Sequence, residues 1–114
     1  MFKGLGGLGD MAKMMKAAKD MQTRMAALQE QLTQIIVQGE SGAGLVRAEA
    51  TAKGELTSLK IDPAIFKADD KEVVEDLILA AIKDVQKRAA ERTQAEMAKL
   101  AEEMGLPADM NLPI

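Results

Sequence analysis

The 114-residue chain has no cysteine, histidine, tyrosine or tryptophan, and its aromatics are Phe2 and Phe66 alone. Without cysteine there is no disulfide, thiol nucleophile or thiolate metal ligand, which fits an intracellular setting. Without histidine or tyrosine, general acid–base work would fall to Asp, Glu and Lys, and any metal site to carboxylates. No carboxylate pair sits in an apolar stretch that would shift its pKa. An enzyme, a cofactor, a bound metal and a small-molecule substrate are therefore not expected. Long apolar runs are also missing. The opening MFKGLGGLGDMAKMM is broken by four glycines, so it reads as neither signal peptide nor membrane span, and no membrane partner is expected.

The phosphate loop is nearly present, and its chemistry is not. Gly39–Val46 reads GESGAGLV, which begins like GxxxxGK[ST]. That loop needs a Lys to reach the β- and γ-phosphates and a hydroxyl for Mg²⁺. Leu45 and Val46 stand there instead. The residues that follow alternate, with Val46, Ala48, Ala50 and Ala52 on one face and Arg47, Glu49, Thr51 and Lys53 on the other. That period of two predicts a half-buried strand over Leu45–Ala52. Gly39–Gly44 then reads as a turn between strands.

An excess of one charge sign is lacking too. The formal net charge is only −3, but its distribution is uneven. Residues 1–24 hold five cations against two anions, a net of +3. Residues 69–82 hold one against five, a net of −4, and residues 83–99 hold five against three, a net of +2. Local patches set an electrostatic footprint, so the acidic total does not exclude a polyanion partner.

What the chain does have is periodicity. Asp10 is a plausible N-cap for a helix over residues 10–35. Its apolar positions Met11, Met14, Ala18, Met21, Met25, Leu28, Leu32 and Ile35 alternate steps of three and four, an unbroken a/d seam. A core-facing stripe on a surface helix is the plainer reading of the same spacing. With Met11 as a, Lys13, Lys16 and Lys19 fall at c, f and b, away from the seam. Taken alone, they read first as a solvated outer face.

A three-stranded sheet is expected over residues 36–62, entered by IIVQ and closed by Asp62-Pro63. Lys53-Gly54 reads as a two-residue hairpin loop. That register opposes Val46 with Ile61, Ala48 with Leu59, Ala50 with Thr57, and Arg47 with Lys60. The last is a like-charge pair that costs a little unless an anion lies near.

A second long helix is predicted over residues 69–104, with Asp69 and Glu72 forming a capping box. Its apolar side runs Val74, Leu77, Ile78, Ala81, Val85. The same line continues to Arg88, Arg92 and Lys99, while Thr93, Met97, Leu100 and Met104 begin a second stripe. Unpaired arginines are not buried in a core, so the helix should overrun its sheet as an arm. At 1.5 Å per residue, residues 70–104 span roughly 50 Å and residues 10–35 roughly 39 Å. An eight-residue strand covers only about 27 Å. Gly105 then caps the helix, and residues 105–114 read as an irregular tail after the Gly-rich, flexible residues 1–9.

These segments in this order, MFKGLGGLGDMAKMMKAAKDMQ, GESGAGLV, KIDP, DDKEVVEDLILAAIKDVQKRAAE and a Leu-Pro tail, resemble the YbaB/EbfC family of nucleoid-associated proteins nearly end to end. The resemblance implies one domain over residues 1–114 in the α+β class. The expected protomer is α-β-β-β-α, with a small antiparallel three-stranded sheet and long projecting helices. It further implies a tweezer-like homodimer, cytoplasmic and nucleoid-associated, whose arms bind duplex DNA. Carried onto this chain, the arm cations are Lys13, Lys16 and Lys19 on the first helix and Lys87, Arg88 and Arg92 on the last. The two basic stretches add Arg24 and Lys99. Met14, Met21, Met25, Leu28 and Leu32 form the candidate dimer or helix seam, closed either within one chain or between two. Members often place Asn-Gly where this chain has Lys53-Gly54. A dimeric scaffold for a helical protein partner is the alternative function, and an enzyme stands third.

Overall fold

The computed structural model describes residues 4–105, except the side chains of residues 4–8 and Ala68. Helix α1 spans Gly4–Gln34 and helix α2 spans Lys71–Glu103, flanking strands β1 (Ile36–Ser41), β2 (Val46–Thr51) and β3 (Leu56–Ile61). The sheet is antiparallel in the order β1-β2-β3. This is the expected α-β-β-β-α protomer of the α+β class. It is long and thin, 80 × 22 × 18 Å, with a radius of gyration of 21.7 Å. A compact chain of this length would have about 13 Å.

Helix α2 lies across β1 and β2 on one face of the sheet. Val46, Ala48 and Ala50 of β2 are buried against Ala81 and Val85, with Val37, Ile61, Leu77 and Ile78 at the margin. The small alanines allow a close approach, and β1 makes the closest one. A Cβ on Gly39 would lie 2.5 Å from the backbone nitrogen of Val85. A glycine inside a strand often marks such a backbone approach. Gly39–Ser41 therefore belongs to β1, and the turn expected from Gly39 begins only at Gly42. Gly42, Ala43 and Gly44 carry it with φ of 59°, 56° and 91°.

The second core cluster lies beyond the sheet. Leu28 and Leu32 of α1 pack with Met97 and Leu100 of α2 and with Ala52 of the hairpin, flanked by Met25, Ile35 and Met104. The hairpin is clamped from both sides. Ala52 N–H donates to the Ile35 carbonyl at 2.9 Å, and the Thr93 hydroxyl donates to the Ala52 carbonyl at 2.6 Å. The two helices run antiparallel where they meet. Gln31 reaches Glu96 at 3.4 Å, the one hydrogen bond between α1 and α2 among the described residues.

Five local expectations change. Helix α1 begins by Gly4, so Asp10 is inside it and not its N-cap. Once a helix is nucleated each added residue gains a bond, which carries the helix through the glycines that precede Asp10. The Asp69–Glu72 capping box does not form. A 3₁₀ turn at Ala68–Asp70 feeds straight into α2, and Asp70 makes no side-chain cap bond. In the hairpin, pairing follows the expected register through Glu49–Ser58, then Ala50 opposes Leu56 instead of Thr57 across a bulge. A two-residue loop needs positive φ at its first central residue or at both, and here only the second, Gly54, has it. Leu45 and Ala52 flank β2 and are not part of it.

Gly39 gives a direct test. Gly39→Ala forces α2 away from β1 and should destabilise the fold by roughly 1–3 kcal/mol, read as a lower urea midpoint. Gly9→Ala, at a helical site with nothing within 4 Å, should stabilise by about 0.5–1 kcal/mol.

Candidate nucleic-acid interface

The expected basic positions fall into three settings. Residues 9–20 of α1 are exposed throughout, because α2 ends before it reaches them. Lys13, Lys16 and Lys19 stand on this free rod. At about 100° per residue their mean direction is opposite the seam of Met11, Met14, Ala18 and Met21. None of the three makes an ion pair among the described residues, where the pairs are Arg88–Asp84 and Arg92–Glu96.

Arg24 and Lys99 form the second setting. They line the same groove between α1 and α2, together with Gln31, Glu96 and Glu103. Lys87 is exposed on α2.

Arg88 and Arg92 form the third, and here the line traced from Val85 is corrected. The buried side of α2 passes through Ala81, Val85, Ala89, Met97, Leu100 and Ala101. It reaches the second core cluster through Ala89 and half-buried Thr93, so no basic line faces the core. A step of four advances about 40° per repeat, and the stripe winds gradually from the sheet to α1 without crossing the arginines. Arg88 and Arg92 sit on its flank with side chains 56% and 48% exposed. Their Nε atoms meet Asp84 at 3.1 Å and Glu96 at 3.0 Å.

Asp84 does more than pair with Arg88. Its Oδ2 also accepts the backbone N–H of Glu40 at 2.9 Å, tying α2 to the outer edge of β1. The Glu40 N–H, and then the Arg88 guanidinium, hold its carboxyl below the usual aspartate range. Sequence reasoning assigned Asp84 no role, although its i,i+4 spacing to Arg88 was visible. Arg88 also lines a cavity of about 430 Å³ at the sheet with Arg47 and Lys60, the cross-strand pair on the face away from α2. Glu40 and Glu49 line it too and moderate that like-charge contact.

The candidate seam is split by the same geometry. Leu28 and Leu32 are buried against α2, Met21 and Met25 are half-buried, and Met14 is 70% exposed. No group of three or more Asp or Glu side chains among the described residues is arranged to hold a metal. No helix among them is long and apolar enough to cross a membrane.

A thin rod bearing lysines opposite an apolar seam is the geometry to set against known proteins. The family model for the YbaB/EbfC DNA-binding family matches residues 7–104. The chain belongs to the YbaB/EbfC DNA-binding family. A nucleoid-associated protein of Agrobacterium fabrum is 40% identical over 91% of this chain and 97% of its own length. Another, from Desulfotalea psychrophila, is 41% identical over 86% of this chain and 92% of its own. The crystal structure of an uncharacterized protein from Helicobacter pylori superposes with a TM-score of 0.60 at 25% identity, covering 73% of this chain and 96% of that one. In this YbaB/EbfC chain the matched region takes in both helices and the whole sheet.

Asp84 makes the tie between α2 and β1 dependent on pH. A carboxyl with a depressed folded pKa stabilises above its unfolded pKa and loses that contribution as pH falls through the folded value. Asp84→Asn should therefore lower the melting temperature at pH 7, and the gap from wild type should close as pH drops below about 4.

Proposed function

We propose that the protein binds duplex DNA without enzymatic activity, with low sequence specificity, through the basic helical arms of a homodimer. The observation that carries this reading is the free half of α1, with Lys13, Lys16 and Lys19 exposed, unpaired among the described residues and turned away from the apolar seam. Its affinity comes from phosphate neutralisation and counterion release. Lys87, Lys99 and Arg24 extend the basic surface toward the body. Arg88 and Arg92 contribute less than their charge implies, because each already holds a carboxylate. The names of the relatives support a nucleoid-associated, cytoplasmic setting.

Low specificity follows from the shape. The cations lie on long rods and not on one compact recognition helix. With so few aromatics, stacking platforms for single strands are scarce, which favours duplex. The salt response tests the mechanism. Three lysines on each of two arms reach about six phosphates, so affinity should fall roughly a thousandfold between about 50 and 200 mM salt. Lys13→Glu, Lys16→Glu and Lys19→Glu together should abolish binding in a gel shift at low salt. An affinity flat across that salt range overturns the electrostatic reading. Absence of any shift for the wild type favours the scaffold, to which the open methionine seam would be offered.

The homodimer has a surface suited to it. α2 covers the edge of β1, whereas β3 is a free edge among the described residues, and Leu56 and Leu59 on it are 45% and 39% exposed. An open apolar edge strand invites pairing with a second strand. Leu59→Asp should convert dimer to monomer in light scattering while leaving the far-ultraviolet circular dichroism unchanged. An unaltered mass would place the dimer contact elsewhere.

A further inference from the structure

We propose that the uncovered half of the α1 seam, Met11, Met14, Ala18 and Met21, pairs antiparallel with the same segment of a second copy of this chain. The seam is one continuous a/d line from Met11 to Ile35. Its second half is an established interface, since Leu28 and Leu32 are buried against Met97 and Leu100. Its first half keeps the spacing and loses the cover, with Met11 60% exposed and Met15, beside the seam, 70% exposed. A heptad register maintained past the end of its partner helix calls for another helix on the same track.

The structure selects the direction of that helix. α2 runs antiparallel to α1 and stops near Arg24, which shares a groove with Glu103. A second α1 laid antiparallel takes up the track where α2 leaves it, and only its first turns, residues 4–8, reach the last turn of α2. Laid parallel, its residues beyond 21 would run into α2 and the hairpin.

Charge placement agrees. With Met11 opposite Met21 of the second copy, and Met14 opposite Ala18, the flanking positions are Met15 and Gln22 on one side and Asp10, Ala17 and Arg24 on the other. Asp10 then lies beside Arg24 of the second copy at each end, Ala17 meets Ala17, and Met15 meets Met15. No like charges oppose each other along the seam. Lys13, Lys16 and Lys19 remain on the outside, free for a polyanion.

The contact is self-complementary and separate from β3. Two such surfaces on one chain join more than two copies, as a closed assembly or an open array according to how their two-fold axes meet. Four layers make a short seam, so the association depends on concentration. The proposal does not rest on DNA binding, and its test uses no DNA.

Because the chain has no cysteine, a single introduced thiol reports its own position. Treated with a short bis-maleimide, Ala17→Cys should give covalent dimer several-fold in excess of Lys16→Cys, whose side chain points away from the seam. Adding Met14→Glu to Ala17→Cys should abolish the cross-link, and Met14 is exposed enough for that change to leave the fold intact. In a Leu59→Asp background the cross-link should persist. Equal yields from the two thiols, a cross-link that survives Met14→Glu, or one lost with Leu59→Asp would each overturn the proposal.

Discussion

Helix α2 meets the sheet at a position without a side chain. Gly39 lets the backbone of Val85 come down onto β1, and the Asp84 carboxylate fastens the same point to the Glu40 N–H. Packing and hydrogen bonding thus fix α2 over β1 and β2 and, among the described residues, leave most of β3 uncovered. A helix of 33 residues, about 50 Å long, cannot end over six-residue strands. Its distal half must find apolar cover elsewhere, and the second half of α1 supplies it through Leu28 and Leu32. The first half of α1 is what remains, a rod beside which α2 has already ended. The exposed lysines, the open methionines and the free β3 edge all follow from where α2 is pinned.

Much of this was legible in the residues. The alternation from Val46 to Ala52 gave β2 and its buried face. The pairing of Arg47 with Lys60 and of Ala48 with Leu59 followed from the hairpin. The overhang of both helices followed from length alone. The failures share a cause, which is that local signals were read without their tertiary competitors. GESGAG looked like a turn throughout because a glycine required by a neighbouring helix is indistinguishable, in one sequence, from a glycine required by its own backbone. Lys53-Gly54 had the length of a tight loop and lacked the second residue able to take positive φ. The core line of α2 was extrapolated straight from Val85 to Arg88, whereas the helix exchanges one partner for another near Ala89 and its buried stripe turns with them. Asp84 escaped notice because its main partner is a backbone N–H in β1, and a sequence does not show where such groups point.

The charges illustrate how placement outweighs total. An acidic protein presents a cationic rod because residues 9–24 carry Lys13, Lys16, Lys19 and Arg24 against Asp10 and Asp20, while most other carboxylates lie elsewhere or are engaged. The run Asp69–Asp76 lies at the start of α2, over the sheet, far along the molecule from Lys13. Asp84 and Glu96 are held by Arg88 and Arg92. Pairs of this i,i+4 kind contribute little to stability when exposed. They do reduce the field of α2, and the lysines of α1 are left without an ion pair among the described residues.

The joint between the helices has a mechanical character of its own. Beyond the Ala52 clamp, its grip comes from leucine and methionine contacts, with Gln31–Glu96 as the single direct cross-helix hydrogen bond among the described residues. Dispersion between flexible side chains has no preferred direction, and methionine refills irregular gaps as they open. Small changes in crossing angle therefore meet a shallow energy well. A rod held by such a joint tilts at its root while staying stiff along its length.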